Sequence, residues 1–177
     1  MGFHSSQGNY HAFRSVVPLS LNDFRLASAG DVGATAANGG ILSSDTVPVL
    51  SGTAATVSQQ ISWATGQTQQ VLCQVALPED FDGKEDVFVD LWVNSGTSDA
   101  ATFTVATNWD AAAADISDTA TDGAKSATTH KIQAVISAAD IPDGAAFVSI
   151  ALTPAAHATN AIVLVAARLS YVPRVTS

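Results

Sequence analysis

From about Thr56 to Tyr171 the chain repeats one pattern, a short run of alternating apolar and polar residues followed by a turn carrying Gly, Pro or Asn. A period of two belongs to strands with one buried face, and short strands at even spacing make a β-sandwich the economical solution. Val71, Cys73, Val75 and Leu77 share a face before Pro78 ends the run. In the next run Val87, Val89, Leu91 and Val93 point inward, and Asn94-Ser95-Gly96 closes it. Phe103, Val105, Thr107 and Trp109 align in a third, and Ile132, Ala134 and Ile136 in a fourth. After Ile141-Pro142-Asp143-Gly144 come Val148, Ile150 and Leu152, stopped by Pro154. The last strand, Ala161 to Val172, is predicted to turn Val163, Val165, Leu169 and Tyr171 inward. With a weaker strand at Gln60 to Ala64 and a poorly defined one between Asp115 and Lys125, the expected number is about eight. The predicted fold is all-β, an eight-stranded antiparallel jelly-roll β-sandwich over residues 56–177.

Residues 1–55 follow neither period and are punctuated by Pro18, Gly30, Gly33, Gly39, Gly40, Pro48 and Gly52. They also carry spaced apolar residues, including Phe3, Tyr10, Phe13, Val17, Leu19, Leu21, Phe24, Leu26, Ile41 and Leu42. So long a stretch without internal structure is functional or a sign of wrong assignment. The expectation is an extended N-terminal arm ordered by contact with a partner.

An antiparallel sheet with one wet side is polar on that side. Two strands break the rule. Phe88 and Trp92 fall together on the outward face of theirs, and Ile162 and Leu164 are predicted to do the same on the last. Hydrophobic residues on both faces imply cover, by a subunit, by the leader or by a second layer of the same chain, and burying a Trp or a Phe is worth roughly 1.5–3 kcal/mol. The interface candidates are therefore Phe13, Arg14, Phe24 and Arg25 in the arm, with Phe88, Trp92, Ile162 and Leu164 in the body.

Sixteen acidic residues against seven basic ones give a net charge of −9, and the basic residues, Arg14, Arg25, Lys84, Lys125, Lys131, Arg168 and Arg174, are scattered singly. Without a basic run, nucleic acid is not an expected partner. The N-terminal residues hold His4, Ser5, Ser6, Gln7 and Asn9 where a secretory signal has an apolar stretch, and the longest apolar run, Ala161 to Ala167, is far too short to span a bilayer, so no membrane partner is expected.

Cys73 is the sole cysteine and sits in an apolar run, which excludes a disulfide within the chain and favours a small core residue. No nucleophile-elbow, dinucleotide, P-loop or zinc-protease motif occurs, and His4, His11, His130 and His157 suggest no cluster. No enzymatic activity, catalytic residue, cofactor or metal is expected. The acidic stretch Glu79-Asp80-Phe81-Asp82-Gly83-Lys84-Glu85-Asp86 is the best candidate for a hard cation, but it lacks the downstream spacing of a calcium loop and reads as a solvated turn. Trp63, Trp92 and Trp109 could form a sugar-stacking platform; without aromatic clustering on one loop, core or interface packing is favoured.

The pattern of arm plus strands resembles the small jelly-roll decoration, or cement, proteins of tailed-bacteriophage capsids. The resemblance is carried by Gly39-Gly40-Ile41-Leu42 through Pro48-Val49-Leu50, by Ile61-Ser62-Trp63-Ala64, and by Leu77-Pro78-Glu79-Asp80-Phe81-Asp82. It continues in Ile141-Pro142-Asp143-Gly144 and in Leu152-Thr153-Pro154 through Asn160-Ala161. It implies a virion structural protein, made in the host cytoplasm, that forms a homotrimer on the capsid exterior. There it would bind the major capsid protein and clamp neighbouring capsomers. The alternative reading is a glycan-binding jelly-roll module of a phage tail or baseplate.

Overall fold

The computed structural model describes residues 13–27, 40–53, 58–110, 116–121 and 123–174. Phe3, Tyr10, His4 and His11 lie outside them. The strands in chain order are β1 (Ser15–Leu19), β2 (Arg25–Leu26), β3 (Val49–Thr53), β4 (Ser58–Trp63), β5 (Val71–Ala76) and β6 (Val87–Asn94). They continue with β7 (Phe103–Trp109), β8 (Ile116–Ala120), β9 (His130–Ile136), β10 (Phe147–Pro154) and β11 (Ile162–Tyr171).

They form two antiparallel sheets. The six-stranded sheet runs β3-β4-β11-β6-β9 with β1 also on β11, and the five-stranded sheet runs β2-β5-β10-β7-β8. The fold is an all-β jelly-roll sandwich. Its eight strands β4–β11 are those expected for the body, and β1–β3 join them from the leader.

The alternation places the core as expected along most strands. Val87, Val89, Leu91 and Val93 meet Phe103, Val105, Trp109, Ile132, Ala134, Ile136, Val148, Ile150 and Leu152 between the sheets, all buried. Trp63 and Trp109 are wholly buried, so two of the three tryptophans are core residues. The Trp63 ring meets Phe103 edge-on, and Phe81 stacks on Trp109 with centroids 5.8 Å apart.

The described part of the leader departs from the expected extended conformation free of the sandwich. In its described residues it is stitched into both sheets. β1 pairs with the C-terminal half of β11, and β4 takes the N-terminal half of the same edge. A 3-10 turn at Leu21–Asp23, capped by the Ser20 hydroxyl, then carries the chain across to β2, which pairs with β5 in the other sheet. β3 returns to the six-stranded sheet beside β4. Leu19, Leu21, Phe24 and Leu42 are buried in this crossing. Their spacing looked irregular because a segment that switches sheets presents its apolar residues to the core at changing intervals. Phe24, expected to anchor on a partner, is 0% exposed within its own chain.

β11 corrects a second expectation. Its register against β6 shifts between Leu164 and Ala166, a β-bulge that adds one residue to the strand. Before the bulge Ile162 and Leu164 face the core, and after it Ala167, Leu169 and Tyr171 do. Ile162 and Leu164 are thus core residues and not an outward patch, while Val163 and Val165 are only half-buried. A strict period of two read through a bulge inverts every face on one side of it.

Phe24→Ala is expected to lower the unfolding free energy of the isolated chain by about 3–5 kcal/mol, as for a core phenylalanine. Phe13, 91% exposed, is expected to change it by less than about 0.5 kcal/mol when replaced by Ala. Urea unfolding measures both. A leader held only by partners would leave the isolated chain indifferent to either change.

Candidate functional site

The outer face of the six-stranded sheet gathers the features that the fold itself does not require. β6 lies between β11 and β9, and its inward valines leave Phe88, Asp90 and Trp92 on the outer side. The registers set three rows across the strands, Ser170-Phe88-Val135, Arg168-Asp90-Gln133 and Ala166-Trp92-Lys131. Phe88 and Trp92 are four positions apart on one strand, about 13 Å at the usual rise. They bracket the polar row.

Asp90 is 1% exposed although it faces outward, because its neighbours roof it. Oδ1 accepts hydrogen bonds from Gln133 Nε2 at 2.7 Å and Lys131 Nζ at 3.2 Å, and Oδ2 accepts from Arg168 Nε at 2.8 Å. Burial pushes its pKa upward, but the donors from Gln133, Arg168 and Lys131 together outweigh it, so the carboxyl lies below its ordinary range. A charged, triply held carboxylate in the middle of a sheet fixes the orientation of three longer side chains around it.

An arginine attends each aromatic ring. The Arg168 guanidinium carbon lies 5.0 Å from the Trp92 centroid, and that of Arg14 lies 3.6 Å from the Phe88 centroid. Arg14 Nη1 also donates to the backbone oxygens of Asp86 and Ser170, which ties the start of β1 to this face. At the Trp92 end, Asn94 Nδ2 donates to Thr129 Oγ1 at 3.3 Å. Nearby loops lock reciprocally: Asp99 Oδ2 accepts from the amides of Thr159 and Asn160, and Asn160 Oδ1 accepts from those of Ser98 and Asp99.

Of the eight candidate residues named from sequence, three share this face, Arg14, Phe88 and Trp92. Phe24, Ile162 and Leu164 are in the core, and Phe13 is in solvent. Arg25 is half-buried and donates to the backbone oxygens of Asn22 and Phe24. Asp90, Lys131, Gln133 and Arg168 were missed. A signal existed in two charges, Asp90 and Arg168, each the sole charge in a mostly apolar strand.

The other candidate chemistries find no geometry. In the 79–86 turn Asp80 accepts from the Tyr171 hydroxyl at 2.6 Å, Asp82 from the Lys84 amide and Asp86 from the Ala138 amide. Phe81 pins the turn to the core against Trp109 and Tyr171. Among the described residues no group of three His, Cys, Asp or Glu converges on one point. His157 is buried, with Nε2 2.9 Å from the Ala64 oxygen and Nδ1 3.0 Å from that of Ala155, so it staples its loop. Burial first, and the charge of Asp23 second, push the Cys73 thiol up to about 12, which removes it as a nucleophile.

No protein-family model matches the chain, and no curated protein does. Solved structures do. A xylan-binding module, CBM15, aligns over 92% of this chain and 100% of its own, with a TM-score of 0.58 and 11% identity. A mutant xylanase 10C from Cellvibrio japonicus in complex with xylopentaose aligns over 87% of this chain and 28% of its own, with a TM-score of 0.53 and 12% identity. At such identities the likeness is one of fold. These neighbours are a carbohydrate-binding module and a larger enzyme of which this chain matches a part; neither is a capsid protein.

Because Asp90 is more acidic in the fold than its ordinary range, its charged form stabilises the folded state above about pH 4, and this contribution is lost as pH falls below that value. Asp90→Asn is expected to cost about 1–3 kcal/mol at neutral pH. The gap between wild type and variant should shrink from pH 4 toward pH 2 in urea titrations. A gap independent of pH would contradict the assignment.

Proposed function

We propose that the chain is a non-catalytic glycan-binding module whose ligand lies across the outer face of β11, β6 and β9. The observation that carries this reading is the pair Phe88 and Trp92 on one strand, bracketing Asp90 and its three ordered donors. Sugar recognition requires both parts: an aromatic surface for the apolar C–H side of a pyranose ring, and fixed polar groups for its hydroxyls. The span between the two rings matches a short run of sugar residues. Asp90 orients Arg168, Lys131 and Gln133 before any ligand arrives, which reduces the entropy lost on binding.

The jelly-roll neighbours support the reading because one is itself a xylan-binding module of the same extent. Xylan and its oligosaccharides are therefore the first ligands to try. The capsid-clamp reading draws on less. It relied on the leader, whose described residues pair within the sandwich, and three of its interface candidates, Phe24, Ile162 and Leu164, are buried.

Isothermal titration of the full chain with soluble xylan and a panel of other plant and bacterial glycans tests the proposal. Saturable binding is expected, and Trp92→Ala should weaken it by about tenfold or more, as for a central aromatic contact. Its thermal stability should stay close to wild type, because the ring is only half-buried. Unchanged affinity in Trp92→Ala, or no binding across the panel, would overturn the assignment of this face.

A further inference from the structure

The charge on this face is opposite in sign to that of the chain. The molecule carries −9 overall, yet Arg14, Lys131 and Arg168 gather on the outer face of the six-stranded sheet. Against these three cations stand Asp90 and, at the edge, Asp86, so the face is positive by one charge, three minus two. Both carboxylates are already engaged, Asp90 by three side-chain donors and Asp86 by the Ala138 amide. Four further basic residues lie elsewhere, so three of seven meet here although each stands alone in the sequence.

The cations retain donor capacity. Arg168 reaches Asp90 through Nε, which leaves its two terminal nitrogens for a second acceptor. Lys131 uses one of three ammonium protons on Asp90. Their side chains are 39% and 44% exposed, so a ligand can reach them. Both stand beside the same ring, Lys131 opposite Trp92 across the strands and Arg168 over its edge of the sheet at 5.0 Å from the centroid. A neutral sugar stacked on Trp92 would offer hydroxyls to two cations while displacing their water, which is poor compensation. A carboxylate on the ring would meet a planar guanidinium fork and an ammonium together.

Building on the glycan-binding reading above, we propose that the ligand carries carboxylates: a uronate-bearing glycan, with the acid group held by Arg168 and Lys131 beside Trp92. The aromatic pair selects a chain of pyranose rings, and the reversed charge selects acidic ones. The acidic remainder of the molecule repels polyanions that lack such rings to dock.

The direct test compares a xylan bearing glucuronic acid with the same polymer after its carboxyls are reduced to alcohols, by titration calorimetry on the full chain. The reduced polymer is expected to bind about tenfold more weakly, and the gap should narrow as salt is raised. The combined variant Asp90→Asn, Arg168→Gln, Lys131→Gln removes the two cations beside Trp92 without leaving a buried carboxylate unpaired. It should bind both polymers alike. Lys131→Gln alone, at an exposed position, should narrow the gap and provides the same reading if the triple variant does not fold. Equal binding of the two polymers by wild type overturns this inference and leaves the glycan-binding reading standing. Binding of polyglutamate as tight as that of the acidic xylan marks simple ion exchange and also overturns it. Absence of binding to both polymers and to the neutral panel overturns both proposals.

Discussion

The antiparallel ladder between Val87–Asn94 and Ile162–Tyr171 determines most of what this molecule presents. It sets Arg168 directly opposite Asp90, Ala166 beside Trp92 and Ser170 beside Phe88. The bulge between Leu164 and Ala166 makes this possible, because it lets Ile162 and Leu164 fill the core at one end while Leu169 and Tyr171 fill it at the other. Without the extra residue the second half of β11 would turn Arg168 toward the apolar interior, where an arginine would lose its hydration, and leave Leu169 outside. The small side chain of Ala166 also leaves the neighbouring Trp92 ring room above the sheet. Core packing and surface chemistry are thus two consequences of one register.

The leader completes that design. β1 lies along the same edge of β11 as β4, and Arg14, just before it, covers Phe88. Phe24 and Leu21 cross the open side of the sandwich and close it with apolar surface. A segment ordered in this way contributes to the outer face of the six-stranded sheet and to the core together. It is also why the chain reads differently from a clamp with a free arm. Over residues 13–27 and 40–53, Leu19, Leu21, Phe24 and Leu42 are buried within the chain.

Much of the sandwich was legible because most of its strands are regular. Val87 to Val93 and Phe103 to Trp109 alternate without interruption, so their inward faces follow from the pleat alone. Phe88 and Trp92 were legible for the same reason, as apolar residues on a face that ought to be polar. Where local regularity ends, so does legibility. A bulge has no mark in the run Ala161-Ile162-Val163-Leu164-Val165-Ala166-Ala167, since every residue in it suits either face. The leader's first two strands were hidden because their pairing partners lie far along the chain: Ser15 pairs with Tyr171 and Arg25 with Leu72. The same holds for the site. Lys131 and Arg168 are separated by 41 and 78 positions from Asp90, the carboxylate they share, and only strand order brings them together.

The two outer faces of the sandwich differ in chemistry. The five-stranded sheet turns mostly small and polar residues outward, with Ser149, Ala151 and Thr153 of β10 between Gln74 and Leu72 of β5 and Thr104, Ala106 and Asn108 of β7. The six-stranded sheet presents aromatic rings, arginines and one deeply held carboxylate. The most direct measurement of where a ligand lies is a titration of isotope-labelled protein with a xylo-oligosaccharide, followed by backbone amide shifts in nuclear magnetic resonance. The account expects perturbations along β11, β6 and β9, together with the Trp92 indole signal. Shifts confined to the five-stranded sheet or to the loop ends would contradict it.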